Sequence, residues 1–199
     1  VYLAETETWN GTNWTEVNDL NTGRDALAGA GTNTAALAFG GETPPQTAQT
    51  ESWNGTSWTE VNDLNTARRN FAGAGTDNTS ALAFGGRTVP VTAVTELWNG
   101  TNWTEVNDLN SEKGNMAGAG TQTSALCIGG EPPTSAATES WNGTSWTEVN
   151  DLNLARTNLA GTGSDNTAAL AFGGQTPAIT AATEEWNDPG IITKTITTS

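Results

Sequence analysis

The stretch WNGTSWTEVNDLN, Trp53 to Asn65, is written again without change from Trp141 to Asn153. With Asn in place of Ser it also runs from Trp9 and from Trp98. Including a divergent copy at Trp186, the leading Trp recurs in steps of 44, 45, 43 and 45 residues. A fixed period of this length marks a repeat architecture in which each unit is one supersecondary element. Within the phrase, Asn54-Gly55 lies between two strand-like runs. That pair favours a tight hairpin, because both residues tolerate positive φ. It places Trp53 and Trp58 on adjacent antiparallel strands near one end. Trp58 and Glu60 then share one face, and Thr59 and Val61 the other.

Outward from the phrase, each unit holds four short strand-like pieces. The first is LAGAG (Leu27–Gly31), with copies FAGAG, MAGAG and LAGTG. The second is AALAF (Ala35–Phe39), closed by Gly40-Gly41. The third is TESW (Thr50–Trp53) and the fourth SWTEV (Ser57–Val61), leading into NDLN. Short strands between turn residues, at roughly 8–12 residue spacing, read as an all-β repeat. No 3.6-residue period persists, which argues against helix. If LAGAG is the innermost strand of a radial sheet, Ala and Gly allow close approach around a narrow axis. The Trp residues then fill the wider space between blades. Variation collects after each double Gly: ETPPQTAQT (42–50), RTVPVTAVT (87–95), EPPTSAAT (131–138) and QTPAITAAT (175–183).

Composition excludes several functions. The chain of 199 residues has 22 acidic and 7 basic side chains, a net charge of -15, no His, one Cys and one Tyr. Neutralising phosphates takes clustered Lys and Arg, so neither nucleic acid nor an anionic membrane surface is an expected partner. No apolar run approaches the ~18 residues that span a bilayer. The opening VYLAETETW has no basic region or apolar core, so no signal peptide is read there. Lacking an initiator Met, the chain is expected to be processed or part of something longer. Without His, Ser-His-Asp catalysis and the usual zinc sites lack their residues. Cys127 replaces Ala in ALAFGG and reads as a buried small apolar residue, since no His is present to activate it.

The remaining candidates are carboxylates. Glu60 and Asp63 recur as Glu16/Asp19, Glu105/Asp108 and Glu148/Asp151. Glycoside hydrolysis needs two carboxylates on one cleft, whereas these pairs repeat on every unit. Asp63 reads as a turn residue bonding nearby backbone N–H groups. Glu51 and its equivalents Glu7, Glu96, Glu139 and Glu184 are expected to pair with the repeat Arg residues and tie neighbouring units. Repeated calcium binding is a minor alternative, oxygen ligands being plentiful; no cofactor or metal is expected. Asn10, Asn13, Asn54, Asn78, Asn99, Asn102 and Asn142 head N-x-S/T sequons, but Asn-Gly-Thr reads first as the hairpin turn. Exposed Trp pairs could stack on sugar rings; their recurrence in every unit favours a scaffold role.

The order double Gly, aromatic, Trp, Arg resembles the kelch-repeat β-propeller family, whose unit is a four-stranded blade. Gly40, Gly41, Trp53, Trp58 and Arg68 stand in that order, then Gly85, Gly86, Trp98, Trp103 and Lys113, then Gly129, Gly130, Trp141, Trp146 and Arg156. Gly173 and Gly174 precede Trp186, and a leading half-unit supplies Trp9, Trp14 and Arg24. The usual Tyr is Trp here, Lys113 replaces one Arg, and the last unit has no second Trp. Near-identical, His-free arrays of this kind are similar in style to kelch-like arrays of bacteriophage structural and tail-associated proteins. A designed propeller is another source, against which the drifting loops argue. The copper chemistry found on some kelch propellers needs His and Tyr ligands, absent here apart from Tyr2. Sialidase-type propellers need an Arg cluster that this chain lacks.

The expectation is one all-β domain over 1–199: a half-blade at 4–21 and repeats at about 25–65, 69–110, 114–153 and 157–199. The half-blade is read as the outer half of an earlier blade in a ring of five or more. In the alternative it completes the last blade and closes a four-bladed ring. The tail IITKTITTS alternates like a strand that ends a blade, which favours the first. The functional expectation is a non-enzymatic structural or adhesion module, virion-associated or extracellular. Its partners would be a host glycan, a surface protein or other virion proteins; homo-oligomerisation is left open. An intracellular kelch-type interaction scaffold and a carbohydrate-active enzyme are the alternatives. Variable loops on a rigid scaffold are where recognition sits, so the candidate ligand contacts are Glu42, Gln46, Arg87, Thr92, Glu131, Thr134, Gln175 and Thr180.

Overall fold

The computed structural model describes residues 1–187 and 194–196. All its regular structure is β. Strands β1 (Glu7–Trp9) and β2 (Trp14–Glu16) form a two-stranded sheet of their own. The first blade is β3 (Ala28–Thr32), β4 (Ala35–Phe39), β5 (Thr50–Trp53) and β6 (Trp58–Val61). The second is β7 (Ala72–Asp77), β8 (Ser80–Phe84), β9 (Thr95–Trp98) and β10 (Trp103–Val106). The third is β11 (Ala117–Thr121), β12 (Ser124–Ile128), β13 (Thr138–Trp141) and β14 (Trp146–Val149). The fourth is β15 (Ala160–Asp165), β16 (Ala168–Phe172), β17 (Thr183–Asn187) and β18 (Lys194–Ile196). Every blade is an antiparallel meander in chain order, and the four stand together as in a β-propeller with a partial extra sheet.

The small first strand is what lets the blades converge. β3 packs on β7, β7 on β11 and β11 on β15. A Cβ on Gly73 would lie 3.0 Å from the Gly29 carbonyl oxygen, and one on Gly118 2.7 Å from that of Gly73. Any side chain there would force the inner strands apart. On the second strand, alternation sends Leu37 and Phe39 toward the following blade. The Phe39 ring sits 5.8 Å from Phe71 and 4.9 Å from Trp103, and Phe84 4.9 Å from Trp146. Each such buried side chain contributes about 1.5–3 kcal/mol. Phe39, Phe84, Leu37, Leu82 and Leu126 are all buried between blades.

The exit of the repeated phrase is a latch. Asp63 Oδ1 accepts the Thr50 N–H at 3.2 Å, and Asp108 that of Thr95 at 3.0 Å. This corrects the local-turn reading, because the donor lies 13 residues back, across the outer hairpin. Asn65 reaches forward, donating its backbone N–H and its amide to Glu96 Oε2 at 2.7 and 2.8 Å. Arg68 follows, 3.1 Å from Glu96, with both side chains fully buried. The same connector-to-next-blade pair joins Arg24 to Glu51, Lys113 to Glu139 and Arg156 to Glu184, at 3.2, 2.9 and 2.9 Å. The expected ties therefore exist at four of the five positions, three to Arg and one to Lys113. Glu7 has no cation beside it among the described residues. Burial pushes the Arg68 guanidinium down to about 10, with Glu96 pulling it back, so it stays a cation at neutral pH. Burial would raise the Glu139 carboxyl, but hydrogen bonds from Lys113 and Asn110 outweigh it and hold the group below the usual range.

Trp53 and Trp58 face each other in register across the outer hairpin, as expected, with ring centroids 5.3 Å apart. The turn between them differs from a two-residue hairpin. Only Gly55 takes positive φ. Asn54 Oδ1 instead accepts the N–H groups of Thr56 and Ser57, both at 2.9 Å. Its side chain supplies the turn in place of a left-handed backbone.

The leading hairpin stands in front of the first blade. Trp58 Nε1 donates to Thr6 Oγ1 at 3.2 Å, just as Trp103 does to Thr50 and Trp146 to Thr95. Asn21 clamps Glu51 at 2.7 Å. The hairpin is thus the outer half of a preceding blade position, and β18 completes the fourth blade. Among the described residues β15 makes no comparable contact with β3, and β17 pairs with β18 in place of the leading hairpin, so the alternative in which that hairpin completes the last blade is not formed. The rest of the segment expected as a tail strand, 191–193 and 197–199, lies outside the described residues.

Candidate binding surface

The four variable segments all join the second strand of a blade to the third, and so emerge at one end of the scaffold. The double Gly explains their departure. Gly40 and Gly41 have φ of 63° and 104°, and a Cβ on Gly40 would meet the Phe71 ring at 2.6 Å. Gly41 N–H donates to the Arg68 carbonyl at 2.9 Å, where the next connector crosses. Gly86 and Gly130 repeat this bond to Lys113 and Arg156.

Each loop then closes on itself. Thr47, Thr92, Ser135 and Thr180 donate their N–H to the carbonyls of Gly41, Gly86, Gly130 and Gly174. Their hydroxyls accept an N–H two residues on, as Thr92 does from Val94 and Thr180 from Ala182 at 3.2 Å. Thr92 and Thr180 are therefore occupied in holding the loop base. Glu42 pairs with Arg69, and Arg87 with Glu131 at 2.6 Å, linking adjacent blades across the same end. Gln46 is half-buried, while Thr134 and Gln175 are exposed. The exposed tips carry proline and aliphatic side chains: Pro44-Pro45, Val89-Pro90, Pro132-Pro133 and Pro177-Ala178-Ile179. Val89 and Ile179 are each 90% exposed.

The residues between the loop bases were missed from sequence. Asn70, Asn115 and Asn158 take φ of 53–55°, as does Ala26 at 52°. Asn70 N–H donates to Ala26 C=O, Asn115 to Asn70 and Asn158 to Asn115, a serial string from blade to blade at 2.8–3.0 Å. Asn115 also donates to Glu131 at 2.6 Å. The signal was present: Asn precedes Phe, Met or Leu at the head of three units, and Asn enters the left-handed region more readily than most residues.

The repeated carboxylates are spread over the units, one set to each outer hairpin. Glu16, Glu60, Glu105 and Glu148 are exposed, each on its own outer strand, and Asp19, Asp63 and Asp108 accept backbone N–H groups. Among the described residues no cluster of three or more Cys or acidic side chains gathers to hold a metal. Cys127 is buried and its thiol is pushed up to about 12 by burial. The interior Trp pairs are packed among the blades, with Trp53, Trp98, Trp103, Trp141 and Trp146 buried and Trp58 half-buried. Only the leading pair is open, with Trp9 44% and Trp14 64% exposed beside a groove shared with Trp53 and Trp58. No protein-family model matches the chain, and no curated protein matches it in sequence.

Proposed function

We propose that the chain is a non-enzymatic recognition module: a kelch-like propeller in the style of phage structural and tail-associated arrays, virion-borne or extracellular. Its ligand is a host glycan or surface protein, or another virion protein, held by the loop end. One observation supports this above the rest. Four unlike loops, each braced at its base and each tipped with exposed proline or aliphatic residues, share one end of a nearly constant scaffold. Braced loops lose little conformational entropy on binding.

The test is a glycan array and a cell-surface binding assay, with the tips 43–46, 88–91, 132–134 and 176–179 replaced one at a time by Gly-Ser. Binding that falls about tenfold or more on replacing at least one tip, with an unchanged circular-dichroism spectrum, supports the reading. Tight binding to a cytosolic protein alone would favour an intracellular scaffold instead. Polysaccharide turnover abolished by one carboxylate change would make the chain an enzyme.

A further inference from the structure

The leading half-blade, with the connector and first blade behind it, carries the unfilled side of contacts that an inner hairpin makes elsewhere in the molecule. In the first blade, β4 pairs with the inner edge of β5, matching Ala36 to Trp53 and Phe39 to Thr50. Among the described residues β1, the counterpart of β5, is paired only with β2. Asn10 and Thr6 bond outward to Asn13 and Val17, so alternation turns the backbone of Glu7 and Trp9 to the open inner edge. The indole N–H groups of Trp53, Trp98, Trp141 and Trp186 each donate at 3.0 Å to a carbonyl in the turn of their own inner hairpin. Trp9 has no such acceptor among the described residues. Trp103 and Trp146 lie against the Phe of the preceding blade, whereas Trp58 has no Phe in that place. Two backbone groups are also unmatched among the described residues. The Arg24 carbonyl lacks the glycine N–H that Arg68, Lys113 and Arg156 receive, and the Ala26 N–H lacks the carbonyl that Asn70, Asn115 and Asn158 reach.

These groups belong to different residues, yet one object would satisfy all of them. We infer that the groove between β1 and the first blade is an acceptor site for a β-hairpin of the repeat's own inner type. That hairpin has a Gly/Ala first strand, a tight turn, and Ala-Leu-Ala-Phe-Gly-Gly as its second. It adds to β1 by strand pairing, its Phe lies on Trp58, and its turn carbonyl takes the Trp9 indole. The site thereby continues the blade-to-blade junction already repeated through the molecule. The hairpin is supplied from outside these four blades, whose own inner hairpins are all engaged.

The probe is a synthetic peptide with the sequence of residues 69–86, RNFAGAGTDNTSALAFGG, titrated into the full chain. Calorimetry is expected to give one site, with a blue shift of tryptophan emission as Trp9 and Trp14 lose water. A peptide carrying Asp at the position of Phe84 should bind about tenfold or more weakly. So should the intact peptide with the Glu7→Pro chain, whose edge has lost a donor, and with Trp9→Phe, which keeps a ring but no N–H. Peptide binding that is absent, or no tighter than that of a scrambled peptide, overturns the inference. Binding indifferent to both chain variants does so as well. Neither result bears on the loops, which lie elsewhere.

Discussion

Arg68 and Glu96 are both fully buried and stand 3.1 Å apart. Removing one partner leaves the other as an uncompensated buried charge, which costs far more than losing a surface pair. Arg68→Leu should therefore destabilise the protein by about 3–5 kcal/mol. Arg69→Ala, next door but partly exposed in its pair with Glu42, should cost under about 1 kcal/mol. Urea unfolding of the two variants checks the contrast. The buried pairs were legible because Glu and cation recur together in each unit. The left-handed Asn string was legible only in part: the recurring Asn admits that conformation, but its φ is set by where the connector crosses the next blade, a fact of packing. Lys113 shows how far the device tolerates change. It keeps the charge at 2.9 Å from Glu139 but lacks the planar fork with which Arg68 also donates to the Val94 carbonyl at 2.7 Å.

Among the elements, strand positions were read almost to the residue. AALAF and TESW match β4 and β5 end to end, while LAGAG and SWTEV begin one residue early. Alternating small and large side chains left little freedom, because a one-residue slip would turn Phe39 and Leu37 to the wrong face. The turn chemistry was half right: Asn-Gly marks the hairpin, but Asn acts through its side chain and only Gly through its backbone. This separates the two roles experimentally. Gly100 has φ of 90° and space for a methyl, whose nearest neighbour would be Thr79 at 3.5 Å. Gly100→Ala should thus report backbone strain alone, about 1–2 kcal/mol, seen as a lowered melting temperature.

Across the whole molecule, the substantial contacts of each blade are with its neighbours, so stability is close to a sum of blade and junction terms. The second and third blades have a junction on both sides, and the fourth has one. Its outward side leaves Leu170 and Phe172 about two-fifths exposed, at 38% and 40%. Thr162 and Glu185 stand on that face where the other blades carry Ala, Ser or Leu, a polar drift suited to water. Native-state hydrogen exchange should be slowest in β7, β8, β11 and β12 and faster in β15 and β16, by about tenfold or more. Equal protection in all four blades would contradict the nearest-neighbour picture. The count of units was legible from the period. The seat of the leading hairpin was decided only by which indole meets which threonine.

The latch also has a direction in time. Each buried glutamate is matched by a cation that comes earlier along the chain: Arg24 before Glu51, Arg68 before Glu96, Lys113 before Glu139, Arg156 before Glu184. As the polypeptide leaves the ribosome, N-terminal end first, every acidic strand emerges to find its counter-ion and its Asn clamp already made. No blade has to bury a carboxylate and wait for residues still to be translated. The repeat is thus ordered for assembly one blade at a time, in the order of its own synthesis.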